Sequence, residues 1–442
     1  MLEYFHIATL QGKLTLYDVY QSIERRSDGA NLCGSRERYA KLTRVMRFWR
    51  FLKQLKRGGL GCQIGRSLDR LSPGELAVLC PACPRPEVNL PPDWETVVNS
   101  YLYNKFIAVD ACFRLKRRFV SSEAKDPGLM TGAAYYVPQE AYQKMMASPP
   151  NQVEEPGCNG SKLAAIDQAT TKYNKGYATT GVILCLCARH EIVEPNGLVD
   201  VDKGEKYWHT DWAISASQRH SDARLTRVLS YDICCQYHKH FFERLREDMP
   251  EEIRLEVHEG RWRFVVPKLH IQGHGRPCQE NFAFYLLPGA GQTDGEGIER
   301  RWANLGGVAT ATVEMAPGHR REILDDHIAY SNWLKVIFLG DLLSKRRREA
   351  RRQIAAQQVI FIQFSESQAE HWPGWAQHVL DWETGKTNIN PYSLGQEKDD
   401  TEAAIHLEYA KEEIERAKAG EACLHEISPS AFVEAALEVE EL

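Results

Sequence analysis

Long hydrophobic runs are missing from this 442-residue chain: no stretch approaches the ~18 consecutive apolar residues that read as a membrane helix. The opening residues Met1-Leu-Glu-Tyr-Phe-His6 lack a charged segment followed by an apolar one, so a secretion signal is not expected either. These two absences predict a soluble intracellular protein without a membrane partner. No internal repeat is present, which argues against a solenoid or propeller. Excess positive charge is absent too: the formal net charge is −5. That average hides a basic body, with Arg36 to Arg57 and Lys345 to Arg352 rich in Lys and Arg, followed by a mostly acidic stretch from Asp399 to Leu442.

Charged residues make up 26% and hydrophobic ones 43%, an ordinary globular composition for a chain long enough to hold more than one module. The twelve cysteines include the close pairs Cys80/Cys83, Cys185/Cys187 and Cys234/Cys235. Without a secretion signal they read as reduced thiols or metal ligands, not as a disulfide framework.

Helical spacing is clearest from Arg36 to Arg57, where Tyr39, Leu42, Val45, Met46, Trp49, Leu52 and Leu55 recur at three- and four-residue intervals. Gly58-Gly59 ends it. Its basic faces are either solvated or laid against phosphates. Leu14 to Tyr20 reads as a short strand, Tyr103 to Asp110 as a compact strand, and Phe113 to Val120 as its antiparallel neighbour. A helix near Gln139 to Met146 and a Pro/Asn/Gly loop at Ser148 to Gly160 follow. Ala178 to Cys187 is the most apolar strand. Then come a helix near Ala213 to Leu225, a strand Thr226 to Asp232, a helix Gln236 to Arg246 and a strand Arg261 to His270. Ile323 to Arg352 and Glu402 to Ala419 are helical.

Two aspartates, Asp110 and Asp232, close apolar strand-like runs, and Glu299 stands at the helix start within Gly289-Ala-Gly-Gln-Thr-Asp-Gly-Glu-Gly-Ile-Glu-Arg-Arg-Trp302. Glycines let that turn approach a ligand closely. Acidic residues at a helix start often only complement its dipole. Three carboxylates delivered from strand ends and a helix start suggest a divalent metal site, with hard oxygen ligands suiting Mg²⁺ or Mn²⁺. The order of elements predicts a ribonuclease H-like α/β domain, a mixed sheet flanked by helices. A helical N-terminal segment with the C-x-x-C pair (1–95) is expected before it (96–340), and a basic then acidic helical extension (341–442) after it. In such a site two ions about 4 Å apart serve an in-line phosphoryl displacement.

Several blocks together resemble the Kyakuja-Dileera-Zisupton transposases: Phe106-Ile-Ala-Val-Asp-Ala-Cys-Phe-Arg-Leu-Lys-Arg-Arg118, Tyr231-Asp-Ile-Cys-Cys-Gln236, His270-Ile-Gln-Gly-His-Gly-Arg-Pro-Cys-Gln279 and Gly289 to Trp302, with Phe5 to Tyr17, Pro73 to Pro84 and Arg320 to Trp333. They occur in order over about the first three quarters of the chain. The resemblance implies a DDE-type nuclear enzyme that cuts and joins transposon ends, with DNA as its partner and homo-oligomers expected by analogy. Asp110 and Asp232 match its two aspartates. Glu299 is the preferred third acid because its Glu-Arg pair at a helix start also resembles hAT transposases; Glu296 is the alternative, and Asp294 reads as a turn residue. The chain starts almost at the Phe5 block, without the cysteine-rich region that the resemblance places ahead of it. A truncated copy is therefore expected.

Cys80 and Cys83 supply half of a tetrahedral zinc site, and His274 and Cys278 are the expected complement. The competing reading has the cysteines buried and His270 and His274 hydrogen-bonded near the acids, with His270 facing the carboxylates. Arg114, Lys116, Arg117 and Arg118, and Lys345, Arg346, Arg347 and Arg348, are candidate DNA contacts; solvated charge is the alternative. Trp302 is expected to anchor its helix in the core. The rival function is a catalytically silent DNA-binding or regulatory protein derived from a transposase; another metal-dependent nuclease of the same fold is a third.

Overall fold

The apolar run Lys105–Cys112 forms β1, and hydrogen bonding on both of its edges makes it the central strand of a five-stranded mixed sheet in a computed structural model. The structure describes residues 1–32, 38–61, 71–97, 99–129, 132–150, 152, 175–393, 402–420, 427 and 431–432. Arg36, most of the Ser148 to Gly160 loop and much of the acidic stretch after Asp399 lie outside them. Contacts divide the chain into two compact units, Met1–Ser367 and Gln368–Leu442. The second contains the helices Trp372–Glu383 and Glu402–Lys418.

A short strand β2 (Arg117–Arg118) pairs with β3 (Tyr177–Thr179) in a separate two-stranded sheet. The main sheet runs β5 (Val193–Val201), β4 (Gly181–Cys187), β1, β6 (Arg227–Ser230), β7 (Trp262–Val265). β5–β4 and β4–β1 are antiparallel, while β1–β6 and β6–β7 are parallel. Alternation along β1 feeds two apolar layers, with Phe106 and Ala108 on one face and Ile107 and Val109 on the other. The first face packs under Ile298, Trp302 and Leu305 of the Gly297–Gly306 helix and Leu324 and Ile328 of the Pro317–Ile337 helix. The second packs under Trp208 and Trp212 of the fully buried Tyr207–Gln218 helix and under Phe241 and Leu245. Burial on both faces is worth roughly 1.5–3 kcal/mol per large side chain and explains why the central strands read as continuous apolar runs.

The N-terminal helices Leu2–Gly12, Leu16–Ser27 and Tyr39–Arg57 share a small core of Phe5, Leu16, Val19 and Met46. They are tied to the Pro317–Ile337 helix by buried charge: His6 Nε2 lies 2.6 Å from Asp326, and Arg47 reaches both oxygens of Glu322 at 2.7 Å.

Two strand expectations are corrected. Leu14 to Tyr20 is not a strand, because Thr15 accepts from Asp18 N and Asp18 reaches back to Thr15 N, a reciprocal cap that starts a helix. Phe113 to Val120 is not the neighbour of β1; β4 takes that place, and the segment's own backbone bonds go elsewhere, Arg118 N to Val313 O and Leu115 O to Arg320. β5 carries no local strand signal, because Pro195-Asn-Gly197 has the composition of a turn. After Asp232 the elements occur in the expected order with different extents. Gln236 to Arg246 is split into Cys234–Tyr237 and Phe241–Glu247, the strand of Arg261 to His270 is confined to Trp262–Val265, and Ile323 to Arg352 is shared by the helices Pro317–Ile337 and Leu339–Ser367.

Candidate active site

Register places the two aspartates. Ala108 pairs with Ser230 across the parallel β1–β6 edge, and each aspartate lies two residues further along its chain. Asp110, within the last residues of β1, and Asp232, just past the carboxyl end of β6, therefore stand at one level, near the carboxyl ends of adjacent parallel strands where open α/β sheets place their ligands. The glycine-rich turn closes over this edge. Gly295 has φ +79°, and a Cβ there would stand 2.6 Å from Ser230 Oγ, so only glycine lets the chain pass so near the end of β6. Asp294 accepts from Glu296 N at 3.0 Å and pairs with Arg300 at 3.1 Å, the turn role expected of it.

The Gly297–Gly306 helix brings Trp302 against β1, where its Nε1–H donates to Asp110 Oδ2 at 2.8 Å. On the other side His270 bridges two acids, with Nε2 3.3 Å from Asp232 and Nδ1 3.1 Å from Glu296. Glu296 also accepts from Leu269 N at 2.7 Å. Glu299 is exposed, and among the described residues its carboxylate makes no hydrogen bond or ion pair, although its charge acts on Asp232 and His270. Sequence reasoning missed Glu205, which takes a hydrogen bond from Tyr231 and acts electrostatically on Asp110.

Burial, followed by repulsion from Asp232 and Glu205, holds the Asp110 carboxyl well above the usual range against the pull of Trp302. Burial also lifts Asp232, to about 6; His270 opposes the rise, and Glu296 and Glu299 add to it. The hydrogen bond to Glu296, with Asp232 and Glu299 behind it and burial opposing, raises His270 to about 9. Protonated His270 is thus the local counter-charge in a crowd of carboxylates. Oxygen donors that repel one another in a partly buried setting are the donor set a hard divalent cation relieves. Asp110, Asp232 and Glu299 are nevertheless not among the groups of described residues whose ligand atoms all lie within 4.8 Å of one another.

Two cysteine–histidine groups do meet that distance, and they correct the zinc expectation. Cys80 and Cys83 join Cys187 and His190, whereas His274 and Cys278 join Cys235. The four residues expected to form one site are split between two, because the turn after β4 and not the His270 segment carries the partners of the C-x-x-C loop. The spacing Cys187-Ala-Arg-His190, directly after the most apolar strand, was the available signal.

The candidate DNA contacts lie apart from one another. Arg114 is exposed, Lys116 stacks 4.9 Å from the Tyr177 ring centroid, and Arg117 and Arg118 form β2, with Arg118 paired to Glu314 at 2.9 Å. Lys345, Arg346, Arg347 and Arg348 are exposed on the Leu339–Ser367 helix, where Arg346 also donates to Arg189 O at 2.7 Å. No helix among the described residues is long and apolar enough to cross a membrane.

A sequence model described as Kyakuja-Dileera-Zisupton transposase matches residues 103–332, just over half of the chain. The chain belongs to the Kyakuja-Dileera-Zisupton transposase family. No curated protein and no solved structure matches it. The family match takes in Asp110, Glu205, Asp232, His270, Glu296, Glu299 and Trp302, while Cys80 and Cys83 precede it.

Proposed function

We propose that residues 96–340 form a ribonuclease H-like catalytic domain of a DNA transposase that cleaves strands at transposon ends and joins them to target DNA in the nucleus. The sheet order β5-β4-β1-β6-β7, three antiparallel strands followed by two parallel ones, supports that fold. The observation that carries the reading is the Ala108–Ser230 register, which delivers Asp110 and Asp232 together at the sheet edge beneath the helix bearing Glu299.

Asp110, Asp232 and Glu299 are the residues assigned to hold Mg²⁺ or Mn²⁺, with Glu296 the alternative third acid. Bound divalent ions supply charge for activating the attacking oxygen and for stabilising the leaving one. The chain's own contribution is positional. Trp302 fixes one oxygen of Asp110 and leaves the other for a ligand. Glu296 is occupied by Leu269 N and His270, whereas Glu299 has no hydrogen-bond or ion-pair partner among the described residues, which favours Glu299 as the third acid. Arg114, Lys116, Arg117, Arg118 and Lys345 to Arg348 are assigned to the DNA backbone, and alignment plus charge neutralisation is where phosphoryl transfer gains most.

The test is cleavage and strand transfer of a labelled duplex carrying candidate ends, in Mg²⁺ and Mn²⁺. Activity should disappear in Asp110→Asn, Asp232→Asn and Glu299→Gln and persist in Glu296→Gln. The opposite glutamate pattern moves the third acid to Glu296. A folded wild-type chain that binds DNA without cutting it, with all four variants binding equally, leaves a transposase-derived binding protein instead.

A further inference from the structure

We infer that Cys80, Cys83, Cys187 and His190 bind a structural zinc ion that fixes the turn on which the glycine-rich loop and the Glu299 helix are hung. The four side chains come from two places, a C-x-x-C loop ahead of the sheet and a C-x-x-H turn at the end of β4, and all are buried. Cys80 Sγ lies 3.3 Å from His190 Nδ1, Cys83 Sγ 3.1 Å from Cys187 Sγ, and Cys187 Sγ 3.4 Å from His190 Nδ1. A tetrahedral zinc thiolate site has Zn–S bonds of about 2.3 Å and therefore sulfur–sulfur edges of about 3.8 Å, so these atoms need to part only slightly. His190 N also donates to Cys187 Sγ at 3.3 Å, a bond that becomes charge-assisted when the sulfur is a thiolate.

Binding balances simply. Each of the three thiols releases its proton to solvent, and His190 keeps its proton on Nε2 and offers the Nδ1 lone pair. Three thiolates on Zn²⁺ leave one net negative charge. Arg189, whose charge acts on Cys187 and Cys83, stands beside the site to offset it, while the charge of Lys105 is already paired with Glu194 at 2.9 Å. Without the ion, four ligating groups are packed into a small volume beside Ile192, where burial of thiols and an imidazole contributes little.

The consequence for the active site runs through Arg189 and Glu191, which flank His190. Arg189 donates to Gly289 O at 2.6 Å, holding the start of the glycine-rich loop. Glu191 receives Arg300 and Lys335, each at 2.6 Å, and its carbonyl receives Arg301. Gly297 makes room for this, since a Cβ there would stand 2.6 Å from Glu191 Cγ. The turn that the zinc would lock therefore grips both ends of the segment between Gly289 and Arg301. Glu191 and Arg189 are positioning residues in this account.

Metal analysis of the purified full chain, grown with zinc and kept reduced, tests the inference. The wild type should carry zinc, and replacement by cobalt should give tetrahedral ligand-field bands with sulfur-to-cobalt charge transfer. Cys83→Ser and His190→Ala should each lose one equivalent, while Cys278→Ala in the other group should keep it. Should Cys83→Ser fail to fold, His190→Cys is the discriminating variant, retaining the zinc with stronger charge transfer from a fourth thiolate. Folded wild type without zinc and without cobalt charge transfer, a Cys83–Cys187 disulfide in the native chain, or zinc lost in Cys278→Ala but kept in Cys83→Ser would each overturn it. The readout is metal content and spectrum, so it stands or falls independently of DNA cleavage.

Discussion

The indole N–H of Trp302 donates to Asp110 Oδ2 across 2.8 Å, joining the helix that carries Glu299 to the strand that carries the first aspartate. Trp302 is buried, so it serves both as the apolar anchor of its helix and as a polar contact at the acid. Trp302→Phe separates the two roles, keeping most of the packing and deleting the donor. Stability should fall by no more than about 1–3 kcal/mol, the cost of leaving one buried polar partner unsatisfied. Metal-dependent cleavage should fall much further, by roughly tenfold to a hundredfold, as expected when the partner that orients a metal ligand is lost. Thermal unfolding beside a cleavage assay decides it; unchanged cleavage would sink the orienting role.

Burial and the nearby Asp232 and Glu205 all oppose a charge on Asp110. In chelator, Asp110→Asn should be more stable than the wild type, by on the order of 1 kcal/mol, because relieving a strained functional site commonly stabilises. Adding Mg²⁺ or Mn²⁺ should then raise the melting temperature of the wild type and not of the variant, as a ligand that binds only the folded state stabilises only where it binds. A variant less stable than the wild type in chelator, or an equal response of both to the metal, would remove the basis for reading these acids as a metal site.

The strands beneath these acids were legible because they are apolar runs. Tyr103 to Asp110 and Thr226 to Asp232 read as strands by composition, and the Gly289 to Trp302 block reads as a close-approach turn, but their parallel pairing does not show in the sequence. What stayed hidden depends on partners far along the chain. β5 reads as a turn at Pro195-Asn-Gly197, yet Asn196 sits at φ +51° and its Nδ2 donates to Gly132 O and Tyr136 O at 2.7 Å each, so a neighbouring loop supports it. Its polar residues Glu194 and Asp200 are buried against Lys105 and Arg320, pairings no local pattern predicts. Glu205 is likewise defined only by its distant neighbours Tyr231 and Asp110. The side chains that meet Cys80 and Cys83 lie more than a hundred residues on, and only the fold tells them apart from His274 and Cys278.

The exposed basic run on the Leu339–Ser367 helix offers a different kind of test. Lys345, Arg347 and Arg348 are free to meet phosphates, whereas Arg346 is engaged with the carbonyl of Arg189. Replacing the first three by Gln should weaken binding to duplexes of any sequence alike. It should also flatten the dependence of log affinity on log salt, by about 0.9 for each phosphate contact removed. Fluorescence anisotropy across a salt series measures both. An unchanged slope would return this run to a solvated helix face, and Arg114, Lys116, Arg117 and Arg118 would become the next residues to neutralise.

Acid should weaken the fold from near neutrality, well above the range where most carboxylates titrate. Burial, with Lys13 close by, pushes His327 down to about 3, and burial with Arg50 and Arg47 pushes His319 to about 4. Both are neutral in the folded chain, whereas in the unfolded chain each takes a proton near pH 6.5. Their contribution is therefore complete above about pH 6.5. It is lost as the pH falls toward the folded values, by up to about 1.4 kcal/mol per pH unit for each histidine. Asp232, lifted to about 6, works the other way, so the comparison must be between slopes and not absolute stabilities. Urea midpoints for wild type and His327→Gln between pH 7.5 and 5 supply it, the pH limits being about a unit either side of the free imidazole value. The variant should be flatter by about one proton's worth, because glutamine offers the unfolded chain nothing to titrate. Parallel curves would mean that His327 takes up its proton as readily in the folded state as in the unfolded one, and that Lys13 does not keep it neutral.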